Sequence, residues 1–122
     1  MGDNIINTKL IFDAVTVAAS ADSTSDALDL KNRPEGYFSL QVTLTGTGTA
    51  KIEYLLSNNG SDYLVPSEAE DIVTAHTVAS GPGADGKDIY VFEPEMTKFM
   101  KIKVTETGGA NAVVVTITLA VQ

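Results

Sequence analysis

Cysteine and tryptophan are absent from this 122-residue chain, histidine occurs once, and basic residues number 8 against 16 acidic. Without cysteine there are no disulfides, no thiolate metal sites and no cysteine nucleophile, so the core must stand without covalent staples, as suits assembly in a reducing cytoplasm. A single histidine rules out two-histidine metal sites within one chain and leaves any Ser-His-acid arrangement only one base to use. No apolar run approaches the roughly 20 residues of a membrane helix. The opening Met1-Gly2-Asp3-Asn4 is acidic where a secretory signal is basic, so the expected product is soluble and not exported by that route. A net charge of −8 disfavours nucleic acid phosphates and anionic lipid as partners and fits either simple solubility or a basic protein surface.

What is present is an ordinary globular composition, 43% hydrophobic and 20% charged, in a length that fits one domain. Its hydrophobic period is that of strands. Phe38, Leu40, Val42 and Leu44 point one way while Ser39, Gln41, Thr43 and Thr45 point the other. Lys51 to Leu56 reads as a partner strand with Ile52, Tyr54 and Leu56 inward. Asn59-Gly60 then marks a type I′ hairpin turn into Tyr63-Leu64-Val65.

Ile5 to Val17 reads as an extended opening, Ser20 to Asp26 as a loop, and Ala27 to Leu30 and Ile72 to Val78 as further strands. After the glycine-rich loop Ser80 to Gly86 comes a strand at Ile89 to Phe92, then one helical turn at Glu95 to Phe99 behind Pro94. The C-terminal third reads as a hairpin, Phe99 to Val104 and Ala112 to Val121, turned at Thr107-Gly108-Gly109-Ala110-Asn111. The last strand has little charge on either face, so it is expected inside the sheet or under another subunit rather than at a bare edge. About eight strands at roughly 8- to 12-residue spacing predict an all-β fold, a single antiparallel β-sandwich of jelly-roll type over residues 1–122, with minimal helix and an N-terminal arm over about 1–12.

Few residues invite chemistry. His76 stands in strand alternation with Thr74 and Val78 and reads as a surface or rim residue; a triad would need Ser80, Ser67 or Ser61 as nucleophile. Glu68, Glu70 and Asp71 form one acidic cluster, and Glu93 and Glu95 flank Pro94, but a sugar-cleaving carboxylate pair also wants an aromatic cleft. Asn58, Asn59, Ser61 and Asp62 offer oxygen ligands without the order of a calcium loop, and a turn explains them. Gly81 to Lys87 lacks the helix that a phosphate loop needs behind it, so it reads as a mobile or docking loop. No cofactor or metal is called for.

Gly36-Tyr37-Phe38-Ser39-Leu40-Gln41-Val42, the Lys51-Ile52-Glu53-Tyr54 to Asp62 hairpin, and the stretch from Ser80-Gly81-Pro82-Gly83 to Asn111 resemble small all-β virion proteins of tailed bacteriophages. The resemblance covers most of residues 36–122 in style and phrase order. It implies a non-enzymatic subunit of the virion, made in the host cytoplasm. Its partners would be copies of itself and a larger virion protein such as the major capsid protein. A capsid decoration protein is the leading role, another head-tail or tail component the next. On position in the chain, Asp3, Asn4, Ile5 and Ile6 in the arm (within Asp3 to Thr8), and Gly81, Pro82, Gly83, Asp85 and Lys87 in the loop, are the expected contacts. Two other classes compete: a carbohydrate-binding β-sandwich module, which predicts a row of exposed tyrosines, and an enzyme, which predicts His76 beside a serine and a carboxylate.

Overall fold

Strand alternation resolves into two packed antiparallel sheets in the computed structural model, which describes residues 7–30 and 37–121. Nine strands and no helix are found among these residues: β1 (Asn7–Val17), β2 (Asp22–Thr24), β3 (Leu28–Asp29), β4 (Phe38–Gly46), β5 (Ala50–Ser57), β6 (Val73–His76), β7 (Lys87–Phe92), β8 (Phe99–Glu106) and β9 (Val113–Val121). One sheet has the order β1-β9-β4-β7. The other runs β2-β8-β5-β6, with β3 also on β8.

Both β2 and β3 pair with β8, Thr24 against Lys103 and Leu28 against Met100. They act as one strand broken at Ser25, whose backbone N–H donates to Ile102 O at 2.8 Å while its hydroxyl accepts the Ile102 N–H at 2.9 Å. Counted so, each sheet interleaves early and late strands, and every connection except β5 to β6 passes from one sheet to the other. That interleaving is two Greek keys rolled into a jelly roll, and the expected β-sandwich is what forms.

The core is the inward half of each alternation. Phe38, Leu40, Val42 and Leu44 of β4 and Val113, Val115, Ile117 and Leu119 of β9 face Ile52, Tyr54 and Leu56 of β5 and Met100, Ile102 and Val104 of β8, all of them buried. Phe92 continues the stack between Phe38, 5.5 Å away, and Tyr54, 5.8 Å away. As expected, β9 lies inside its sheet, between β1 and β4.

Several local expectations are corrected. The C-terminal hairpin is not one: β8 and β9 lie in different sheets, and so do β4 and β5. The segment Ser20 to Asp26 contains β2, a polar strand that an edge position tolerates. Glu95 to Phe99 forms no helical turn, because Glu95 is held by Tyr54 and the Lys98 N–H donates to Asn58 Oδ1 at 3.1 Å. The Asn59-Gly60 turn is not type I′, which needs positive φ at both residues; only Gly60 has it, at 77°. There Asn59 Oδ1 accepts the N–H groups of Ser61 and Asp62, each at 2.9 Å, and the chain returns to a single bridge between Leu56 and Leu64.

Candidate interaction surfaces

Asp3, Asn4, Ile5 and Ile6 lie outside the described residues; Asn7 to Phe12 of the expected arm belong to β1 and pair with β9. The loop contacts Pro82, Gly83, Asp85 and Lys87 are exposed, with Gly81 half-buried. The loop is a hydrogen-bonded turn: Ala84 N–H donates to Gly81 O at 3.0 Å and Gly86 N–H to Ser80 O at 2.9 Å. Lys87 is the first residue of β7, so this loop delivers the chain to a sheet edge.

His76 overturns its surface reading, since its exposure is 0%. A bulge between Ala50 and Ile52 shifts the register of β6, so Val73 and His76 both point inward while Thr74 and Ala75 point out. The ring sits edge-on to Tyr90, with Nδ1 2.7 Å from the Tyr90 hydroxyl and Nε2 2.9 Å from Gly86 O. Neither nitrogen meets a serine. Ser80 Oγ instead accepts the Thr77 N–H at 2.9 Å.

The two acidic clusters, separate in sequence, come together in space. Glu68, Glu70 and Asp71, leading into β6, and Glu93 and Glu95, leaving β7, line one groove over Tyr54, Ile72 and Phe92, which the β7 edge at Val91 borders. The groove opens between the edge strands of the two sheets. Tyr54 Oη donates to Glu95 Oε1 at 2.7 Å. Burial first, then that bond and the nearby charges of Glu95 and Glu70, push the Tyr54 hydroxyl up to about 12. Among the described residues no lysine or arginine forms an ion pair with any of the five groove carboxylates; the pair that does form is Lys51 with Glu53 on the outward side of β5.

The outer faces of the two sheets differ in charge. On the second sheet, β5 and β8 present Lys51, Glu53, Lys101 and Lys103. On the first, Ser39, Gln41, Thr43 and Thr45 of β4 stand beside Ala120, Thr118, Thr116 and Val114 of β9, with no charge among them. At the margins of this neutral face Leu10 is 50% exposed, Ile89 61% and Val91 74%.

Glu106, which sequence reasoning did not single out, organises one end of the sandwich. It is 1% exposed, and its two oxygens accept N–H groups from Ser20 at 3.0 Å, Thr49 at 2.9 Å, Gly108 at 2.7 Å and Gly109 at 2.8 Å. These bonds, Thr49 foremost, outweigh burial and hold its carboxyl at about 2. The available signal was a carboxylate two residues before Gly-Gly, a pairing that lets backbone amides fold around an anion.

Oxygen ligands in the Asn58 to Asp62 turn are used internally: Asn59 Oδ1 serves the turn, and Asn59 Nδ2 donates to Asp62 Oδ2 at 2.9 Å. The tyrosines do not form an exposed row. Tyr37 is exposed, Tyr54 is buried, Tyr63 lies under the Lys101 ammonium and Tyr90 is against His76. No described helix is long and apolar enough to cross a membrane.

No protein-family model matches this chain, and no characterised protein is similar to it in sequence. Its fold is similar to that of the SPBc2 prophage-derived protein YomS, with a TM-score of 0.47 and 10% identity over 98% of each chain. It is also similar to a chain in the structure of infectious bursal disease virus, Gx strain, with a TM-score of 0.52 and 8% identity over 98% of this chain and 32% of that one. This chain thus spans about a third of the length of that viral chain, and at these identities the likeness is one of fold.

Proposed function

We propose that this protein is a non-enzymatic structural subunit of a bacteriophage particle, a capsid decoration protein that associates with copies of itself and docks on the major capsid protein. The carrying observation is the uncharged outer face of β4 and β9. In a chain where one residue in five is charged, eight neighbouring outward positions without charge form a surface suited to burial against protein. Subunit contacts at such a face are individually modest and are multiplied by copy number. The similarity of this fold to part of a chain in the infectious bursal disease virus structure is in keeping with this reading.

Two measurements test it: the mass of the free protein by light scattering, and cosedimentation with capsids of the phage whose genome carries its gene. Saturable binding that raises the particle's resistance to heat supports decoration. Failure to bind at any ratio removes it.

A further inference from the structure

Of the sheet edges, three are interrupted. β1 carries register shifts between Leu10 and Phe12 and between Phe12 and Val15; β2 and β3 are short pieces; β6 has four residues and a shift opposite Ala50. Such breaks are how native sheets discourage strand addition. The fourth edge, β7, runs regularly for six residues against β4, from Lys87–Thr43 to Phe92–Phe38, and no described strand covers its other side.

Backbone geometry says which groups face outward. Leu44 N–H donates to Gly86 O at 3.0 Å, so the pairs at Asp88, Tyr90 and Phe92 follow as the bonded ones, and the N–H groups of Lys87, Ile89 and Val91 point away from β4. Two of these are held by side-chain carboxylates rather than by a strand: Lys87 N–H by the exposed Asp85 Oδ1 at 3.2 Å and Ile89 N–H by the half-buried Asp88 Oδ1 at 2.8 Å. The exposed side chains of Ile89 and Val91 flank this edge on the neutral face.

We propose that β7 accepts an extended segment of a protein partner in which basic and apolar residues alternate. Apolar side chains on one face of the added strand would cover Ile89 and Val91. Basic ones on the other would reach the groove of Glu68, Glu70, Asp71, Glu93 and Glu95, which finds no cation among the described residues. This division follows from the twofold period of a strand and is strand addition with charge complementarity. Charge also argues against a second copy here, since pairing β7 with itself brings two acidic grooves together on chains of net charge −8. The inference rests on the docking role above and names the chemistry of the partner.

The probe is a blocked peptide of alternating Lys and Val, compared with its counterpart carrying Glu for each Lys. Hydrogen exchange at β7 is followed by NMR. At about ten times its Kd the basic peptide is expected to slow exchange at Ile89 and Val91 about tenfold. Salt and the Glu68→Gln, Glu93→Gln double variant should weaken binding several-fold. Val91→Pro removes an outward N–H without touching the β4 ladder and should abolish binding; Val91→Lys, which leaves the backbone intact, should weaken it at least tenfold. Circular dichroism reports whether each variant is folded.

Equal binding of the acidic peptide, binding that leaves β7 exchange unchanged, or binding that survives in folded Val91→Pro overturns the proposal. So does a wild-type dimer that Val91→Pro dissociates, which would make a second copy the occupant. Cosedimentation separates this inference from the parent reading. If Val91→Pro loses the peptide yet still decorates capsids, the edge is not the docking element and decoration stands. If wild type binds the peptide but no capsid, decoration falls.

Discussion

Glu106 Oε2 accepts the backbone N–H of Thr49 at 2.9 Å, joining the end of β8 to the connection between β4 and β5. With Ser20 and the Gly108-Gly109 turn on the same carboxylate, three of the four sheet-crossing connections at this end share one anion. Glu106→Gln is expected to destabilise the fold, because it removes the charge and turns an amide N–H₂ toward N–H donors; Glu106→Ala should destabilise it more. The folded carboxyl sits near 2, below its ordinary 4.5, so its contribution is fully present above about 4.5 and is lost as pH falls from there toward 2. Urea midpoints of wild type and Glu106→Gln should therefore differ most at neutral pH and converge near pH 2. A gap that persists unchanged at that pH counts against the staple.

His76 and Tyr90 make a second buried polar unit. Tyr90→Phe deletes the hydroxyl at Nδ1 and is expected to cost about 1 kcal/mol. His76→Ala also opens a cavity and removes one of the two donors to Gly86 O, leaving the Leu44 N–H, so about 2–4 kcal/mol is expected from denaturant unfolding. The double variant should cost less than the sum of the two, since both substitutions break the same bond. Strict additivity would mean that the contact contributes nothing.

Alternation made the core legible: Phe38, Leu40, Val42 and Leu44 share one face and Ile52, Tyr54 and Leu56 read as inward from their twofold period, and all are buried. Sheet membership was not legible. Gly46 to Gly48 and Gly108-Gly109 look like hairpin turns, but the amides of Thr49, Gly108 and Gly109 go to Glu106, and the strands diverge to opposite sheets. An inward apolar face is satisfied from either side of a sandwich, so the period cannot choose between them. His76 was misplaced because a bulge reverses faces, and nothing in Val73-Thr74-Ala75-His76 announces one. The acidic groove escaped notice because its halves lie on either side of β6 and β7 and meet only when both edges align.

Gly81 tests how firmly the loop before β7 is built. Its φ is 95°, and an added Cβ would run into Lys87 O. Gly81→Ala is expected to cost about 2–4 kcal/mol, combining left-handed strain with a backbone clash. Gly83 lacks that constraint, and its Cβ would meet only the exposed Asp85 side chain, at 3.3 Å. Gly83→Ala should fall within about 0.5 kcal/mol of wild type. Equal costs at the two positions would show that the turn rearranges freely, and a freely rearranging turn could not fix the start of β7.

Thr118 tests the neutral face directly. It sits in the middle of β9, between Gln41 on β4 and Leu10 on β1, with its side chain turned away from the core. Thr118→Lys leaves the buried face of β9 unchanged, so the isolated protein should keep its stability to within about 0.5 kcal/mol. If this face is pressed against a neighbouring subunit or the capsid, the new ammonium is desolvated without a counter-charge, and assembly should weaken at least about tenfold. Lys51→Ala, on the charged outer face of the other sheet, serves as the control and should leave assembly unchanged. Cosedimentation and light scattering of both variants decide the matter: if Thr118→Lys assembles like wild type, the uncharged face of β4 and β9 is solvent-facing in the particle and another surface makes the contact.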